Sequence, residues 1–163
     1  MNNQNMNERQ LVVFDLAGES FGVDINTVRE IIRMQHVTRV PDAPAYVEGV
    51  MNLRGTVIPV VDMRLRFGLE VTEATAASRV VVVDIGGAGI GVIVDGVREV
   101  LRIPSDSVQA PSSVITTMDS YYLEGIANLE GRLLILLDIE RALAERAQVA
   151  LSLAEREQMA VAA

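Results

Sequence analysis

The chain contains an internal duplication, and this feature limits the fold more than any other. Val28-Arg29-Glu30-Ile31-Ile32-Arg33 matches Val97-Arg98-Glu99-Val100-Leu101-Arg102, 69 positions further along the chain. A second block matches Asn52-Leu53-Arg54-Gly55 with Asn128-Leu129-Glu130-Gly131, 76 positions further along. The extra residues of the second copy fall around Pro111 to Ser120, in a Ser/Thr-rich segment. A register held over so many positions predicts two copies of one structural unit.

Each copy is predicted to form about five short β-strands. Half of the residues are apolar but only 4% are aromatic, so the core is built from Val, Ile and Leu, which favours strands. Short strands joined by tight hairpins favour a small closed barrel, because closure removes exposed sheet edges. The predicted strands are residues 11–16, 20–25, 28–33, 49–53 and 56–61 in the first copy, and 79–85, 89–94, 97–103, 124–129 and 132–137 in the second.

A helix is predicted after each set of strands, since both copies end at an Asp that can cap a helix N-terminus, Asp62 and Asp138. Gly68 ends the first helix after little more than one turn. The second helix is predicted over residues 138–151, and the weaker apolar pattern beyond Ala150 predicts a frayed tail over 152–163. Residues 1–9, which are polar and rich in Asn and Gln, are predicted to form a disordered tail.

The composition argues against several classes of function. The chain has no cysteine and a single histidine, His36, which excludes thiol chemistry and multi-histidine metal sites. A net charge of -8 argues against binding to nucleic acid or to anionic membrane surfaces. The apolar runs are too short to insert across a bilayer. The predicted partners are therefore proteins.

No catalytic residue, bound cofactor or metal site is predicted. The glycine-rich segment Gly86 to Gly91 leads into the strand-like Val92-Ile93-Val94 and not into a helix, so it predicts a hairpin and not a phosphate loop. The aspartates are mostly repeat-related and lie at predicted strand ends or helix starts: Asp15, Asp24, Asp62, Asp84, Asp95 and Asp138. A barrel enzyme that uses these aspartates and a sensor that binds a small effector are the alternatives. Turnover without a kinase would favour the first, and saturable effector binding the second.

The duplication also provides an internal control for function. Asn52 and Gly55 recur as Asn128 and Gly131, so they most simply supply the chemistry of a hairpin turn. Position 54 differs, because Arg54 stands where the second copy has Glu130. Arg54 is either a solvated turn residue or a polar anchor in an interface, where arginine is enriched.

With the repeat and its hairpins in place, the chain resembles the CheW family of chemotaxis coupling (adaptor) proteins. The family's central signature is matched by the segment from Gly49 to Arg64, GVMNLRGTVIPVVDMR. Flanking matches are Tyr46-Val47-Glu48, the segment from Val92 to Val97, and the segment from Leu133 to Asp138. The resemblance covers roughly residues 10 to 143.

The resemblance implies a mainly β fold of two five-stranded SH3-like barrels that share a hydrophobic core, with a short helix after the first barrel and a C-terminal helix. It places one domain at residues 10–151, with the first barrel at about 10–68, the second at about 78–137 and the helix at 138–151. These barrel boundaries are approximate because strands can be exchanged between the copies.

The resemblance also implies a function. The family couples the CheA histidine kinase, through its regulatory domain, to the cytoplasmic tips of methyl-accepting chemotaxis receptors, so the chain is expected to be a cytoplasmic scaffold recruited to receptor clusters at the inner face of the membrane. The same adaptor role in a pathway for pili or development is the alternative. The kinase contacts are left unassigned. The family's receptor contacts fall on Val28, Glu30, Ile31, Gly49 and Arg54, with Glu30 and Arg54 as a charged pair.

Overall fold

The computed structural model describes residues 8–110 and 122–162, without the side chains of 144–146 and 161–162. All of the predicted strands are present, and a short strand, β9, is additional. Most of the predicted N-terminal tail and the segment Pro111 to Ser120 lie outside the described residues. The elements are β1 (Glu8–Leu16), β2 (Glu19–Asp24), β3 (Val28–Arg33), β4 (Val47–Leu53), β5 (Thr56–Asp62), α1 (Met63–Arg66), β6 (Arg79–Ile85), β7 (Ala88–Val94), β8 (Gly96–Pro104), β9 (Val108–Gln109), β10 (Leu123–Leu129), β11 (Arg132–Leu137) and α2 (Ile139–Ala162).

The strands form two sheets, and each sheet takes strands from both copies of the repeat. One sheet has the order β3-β6-β7-β5-β4, and the other has the order β8-β1-β2-β11-β10-β9. The exchanged hairpins join through parallel pairings, of β5 with β7 and of β11 with β2. The mainly β fold class is therefore confirmed, whereas the ranges 10–68 and 78–137 delimit the repeats and not the sheets.

A shared core lies between the two sheets. Val12 and Phe14 of β1 point into this core, while Leu11 and Val13 point to the opposite side of the same strand, where they join a second apolar cluster. This arrangement follows from the strand geometry, since successive side chains point to opposite faces. Strand β6 repeats the pattern, and all of these side chains are buried. Central strands with two buried faces explain the long Val-rich runs of the sequence.

Two ion pairs join the copies reciprocally. Arg29 pairs with Asp84, with 3.1 Å between Nη2 and Oδ2. The equivalent residues 69 positions away are Arg98 and Asp15, which pair with 2.7 Å between Nε and Oδ1. Each pair links an arginine of one copy to an aspartate of the other. The two copies are thus joined by side-chain ion pairs as well as by the exchange of strands.

The structure differs from the sequence prediction at the C-terminus. The carboxylates of Asp62 and Asp138 cap α1 and α2, as expected, by accepting hydrogen bonds from the backbone N–H groups of Arg64 and Arg141. However, α2 does not stop near residue 151 but continues to Ala162. The predicted frayed tail over 152–163 is instead helical over its described part. It is held there by apolar contacts that the weak sequence pattern did not reveal.

Candidate functional site

Within the described residues, strand β3 lies at the edge of its sheet and pairs with β6. Its pairing with β6 contains a register shift between Val28 and Glu30, so Val28 and Ile31 face the side of the shared core and Glu30 faces the other side. Val28 packs against the shared core, whereas Ile31 is 38% exposed. Ile31 is therefore an accessible apolar side chain on an edge strand.

The turn between β4 and β5 carries Arg54 in a left-handed backbone conformation. Arg54 has φ 52° and Gly55 has φ 88°, which are the positive values of a tight hairpin turn. The side chain of Asn52 stabilises this turn, since its Oδ1 accepts a hydrogen bond from the Gly55 N–H at 2.8 Å. In the second copy Glu130 has φ 51° and Gly131 has φ 85°. The two turns have nearly the same φ values, so positions 54 and 130 present different side chains from a similar backbone.

Arg54 and Glu30 form a bidentate ion pair. Nη1 of Arg54 donates to Oε1 of Glu30 at 3.1 Å, and Nη2 donates to Oε2 at closer range. Two parallel hydrogen bonds of this kind fix the orientation of both side chains. Glu30 is 29% exposed and Arg54 is 70% exposed, so the guanidinium remains accessible from solvent. Glu130 makes no ion pair with any residue in 8–110 or 122–162.

The pairing shifts the pKa of both groups. The hydrogen bonds from Arg54 hold the pKa of the Glu30 carboxyl below its usual value, and the carboxylate raises the pKa of Arg54. A carboxyl whose pKa is lowered on folding stabilises the folded state at pH values above its unfolded pKa. That contribution is lost as the pH falls through the lowered pKa. At neutral pH the pair is therefore fully charged.

Gly49 lies within β4, where close packing requires a glycine. A Cβ atom at this position would lie 2.2 Å from the carbonyl oxygen of Thr38, which belongs to a segment bridged to β4. Gly125, the equivalent residue of the second copy, is crowded in the same way by Val108 and Gln109. The repetition of this crowding assigns Gly49 a structural role. It shapes the strand that leads to Arg54.

The pair borders a shallow hollow that also contains Arg29. The Arg29 guanidinium donates to Asp84 and to the carbonyl oxygen of Gly87 at 2.6 Å, so it ties β3 to the turn between β6 and β7. Sequence reasoning missed this contact, although the repeat contained the signal, because both partners recur 69 positions away as Arg98 and Asp15. The remaining lining residues are Leu53, Thr56, Ile58, Val82 and Gly89.

The described residues offer no arrangement typical of a catalytic or metal site. No group of three or more His, Cys, Asp or Glu side chains within 8–110 and 122–162 could hold a metal ion. The pKa of the Asp84 carboxyl is lowered by the Gly87 N–H and by Arg29. Burial tends to raise the pKa of Asp95, but hydrogen bonds from Arg64 and the Ala17 N–H lower it overall. A general acid at neutral pH needs a raised carboxyl pKa, which is the opposite shift.

No helix in the described part of the chain is long and apolar enough to cross a membrane.

Comparison with known proteins identifies the family. The family model of the CheW-like domain matches residues 10–147. The chain belongs to the CheW-like family. The chemotaxis protein CheW of Treponema pallidum is 38% identical over 138 residues, which cover 81% of this chain and 80% of that protein. The chemotaxis protein CheW of Klebsiella aerogenes is 34% identical over 135 residues, which cover 83% and 81%.

A solved CheW structure also matches the fold. The scaffolding protein TtCheW from Thermoanaerobacter tengcongensis superposes with a TM-score of 0.74 at 38% identity, covering 80% of this chain and 88% of that one. The predicted family and the predicted mainly β fold are therefore confirmed. The CheW-like match ends at residue 147, so the second half of α2 lies outside it.

Proposed function

We propose that the protein is a non-enzymatic scaffold that couples the CheA histidine kinase to the cytoplasmic tips of methyl-accepting chemotaxis receptors. In this role it works in the cytoplasm and is recruited to receptor clusters at the inner face of the membrane. Support comes from the CheW-like family membership and from relatives that are named chemotaxis and scaffolding proteins.

The proposed receptor-binding surface consists of Val28, Glu30, Ile31, Gly49 and Arg54. The observation that carries it is the bidentate Arg54–Glu30 pair, which has no counterpart at Glu130, while the neighbouring Ile31 is exposed on the other face of β3. A helical receptor tip would use Ile31 as an apolar contact and Arg54 as a polar anchor. Val28 and Gly49 contribute indirectly. Val28 packs β3 against the shared core, and Gly49 allows β4 to lie close to the Thr38 backbone.

The first prediction concerns Arg54→Ala. Because the side chain is mostly exposed, the variant should fold normally and its melting temperature should change by no more than about 2 °C. Receptor affinity should fall about thirtyfold, since truncation of an interface arginine removes an anchor. In a mixture of purified CheA and receptor fragments, receptor-dependent autophosphorylation should require this protein and should drop with Arg54→Ala.

Glu130→Ala is the matched control, because it alters the equivalent position on a turn of nearly the same backbone conformation. This variant should leave receptor affinity and kinase activation at wild-type levels. Direct binding to CheA should be retained by both variants. Equal losses of receptor binding at positions 54 and 130 would contradict the assigned surface. Full receptor control of the kinase without this protein would contradict the coupling function.

A further inference from the structure

The second half of α2 lies along β5, beside β4, and reaches the turn that carries Arg54. Ala150, Leu153 and Ala154 on one side of this helix are buried. They pack against Val40 and against Val47 and Val50 of β4. These contacts fix the course of the helix beyond residue 147, where the CheW-like match ends. One turn further on, the helix places Gln158 beside the first residues of β5.

The Gln158 side chain hydrogen-bonds to the backbone of the hairpin. Its Oε1 accepts from the Val57 N–H at 2.6 Å, and its Nε2 donates to the carbonyl oxygen of Gly55 at 3.4 Å. Strand β5 pairs with β7 only from Val60 to Asp62, so the start of β5 has no strand on this side. The amide supplies a donor and an acceptor where the sheet would otherwise place a neighbouring strand.

Gly55 is the residue that follows Arg54, so a contact at its carbonyl restrains the turn itself. The bidentate pair with Glu30 requires a fixed position of the Arg54 backbone, because both guanidinium hydrogen bonds must form together. A turn that is fixed before binding loses less entropy when a partner is bound.

We propose that Gln158 is a positioning residue, whose side-chain amide fixes the β4–β5 turn so that Arg54 is held against Glu30. The second half of α2 then tunes the affinity of the receptor-binding surface without touching the receptor. This inference rests on the proposed function for its effect on receptor affinity. Its effect on the turn is independent of that function.

Gln158→Ala in the full-length chain tests the inference. Receptor affinity should fall roughly threefold to tenfold, as expected when one or two hydrogen bonds that preorganise a site are lost. Binding to CheA should stay unchanged. Gln148→Ala is the matched control, since Gln148 is an exposed glutamine of the same helix, away from the hairpin. This control should bind the receptor as the wild type does.

A positioning role also predicts that the effect of Gln158 passes through Arg54. The double variant Gln158→Ala/Arg54→Ala should therefore bind the receptor no more weakly than Arg54→Ala alone. In NMR experiments, Gln158→Ala should speed hydrogen exchange at the Val57 N–H. It should also raise the pKa of the Glu30 carboxyl towards its usual value, because Arg54 pairs with it less often. The pKa of Asp84, which is held by Gly87 and Arg29, should not change.

Additive losses in the double variant, or a Glu30 titration that Gln158→Ala leaves unchanged, would overturn the positioning role. A failure of the proposed function would be recognised by a separate result, the receptor affinity of Arg54→Ala. If Arg54→Ala itself leaves receptor affinity unchanged, the receptor-binding surface is wrong. In that case the Glu30 titration and the Val57 exchange rate still decide whether Gln158 fixes the turn.

Discussion

Arg54 and Glu130 lie on equivalent turns of the two copies, but their side chains make different contacts. Both residues adopt φ values near +50°, and an asparagine side chain stabilises both turns by accepting from the glycine that follows. The fold needs the Asn and the Gly, since they recur, but it accepts either charge between them. Only Arg54 forms an ion pair across to β3. The fold therefore constrains the backbone of this turn but not the charge at position 54, so this charge is available for recognition.

Gly49 gives a prediction at the same scale. Gly49→Ala would place a Cβ atom 2.2 Å from the Thr38 carbonyl oxygen, so the backbone must shift. The free energy of unfolding should fall by about 1–3 kcal/mol, and thermal melting should show a drop of several degrees. Any loss of binding should be the same for the receptor and for the kinase, since it comes only from unfolded protein.

Substitutions at two other glycines serve as comparisons for Gly49→Ala. Gly125→Ala should behave like Gly49→Ala, because its Cβ atom would lie 2.4 Å from Cγ1 of Val108. Gly96→Ala should melt like the wild type, since its nearest neighbour would lie at an ordinary 3.6 Å. A Gly49→Ala protein that melts normally and loses receptor binding alone would make Gly49 a direct contact.

Family resemblance and the repeat could predict some of these contacts but not others. The Glu30–Arg54 pair was predicted from the family pattern, and its two side chains do meet. The Arg29–Asp84 pair could have been found by comparing the two copies. Gln158 gave no such signal, because it lies beyond the repeat and its partners are backbone atoms, which carry no sequence identity.

At the scale of elements, α2 is the one whose length the sequence did not predict. Its buried side beyond residue 147 consists mainly of alanines, with Leu153 as the only large aliphatic side chain among the buried residues described there. Small residues allow a helix to approach a sheet closely, but they produce a weak apolar pattern. The strands were predicted far better, because alternation and turn residues are local signals, and the duplication presents each of them twice.

The packing of α2 indicates that residues 152–163, which the sequence predicted to be a frayed tail, contribute to stability. Deletion of residues 152–163 removes Leu153, which is only 7% exposed, and uncovers Val47 and Val50. Loss of one buried leucine contact costs about 2 kcal/mol, so the melting temperature should fall by about 4–8 °C. Differential scanning calorimetry measures this directly. Leu153→Ala should reproduce most of the drop.

Met159→Ala serves as the control within the same segment. Met159 is 73% exposed, so its truncation should leave the melting temperature within about 1 °C of wild type. A deletion of 152–163 that melts with the wild type would mean that this part of the helix is not packed in solution. It would also remove the basis for a role of Gln158.

At the scale of the whole molecule, the exchange of hairpins makes the two copies interdependent. Strand β1 pairs with β8, and β6 pairs with β3, so each of these contacts joins different halves of the chain. The family resemblance allowed for an exchange of strands, but the sequence could not predict which strands are exchanged, because the copies are alike and their strands present the same patterns to either partner. Both halves contribute side chains to the shared core.

This interdependence predicts that neither half folds alone. A cut after Glu73, in the exposed segment between α1 and β6, yields fragments 1–73 and 74–163. Fragment 1–73 would leave β1, β3 and β5 without their partners β8, β6 and β7 and would expose Val12 and Phe14 to water. Each fragment alone should therefore lack a cooperative thermal transition, because open edges and half of a core do not offset the entropy of ordering. An equimolar mixture of the two fragments should recover a cooperative thermal transition. It should also recover the near-ultraviolet circular dichroism signal of the stacked rings of Phe67 and Tyr122, because these two rings come from different halves. A fragment that melts cooperatively on its own would show that one repeat is an independent folding unit, and that the exchange of strands is not needed for stability.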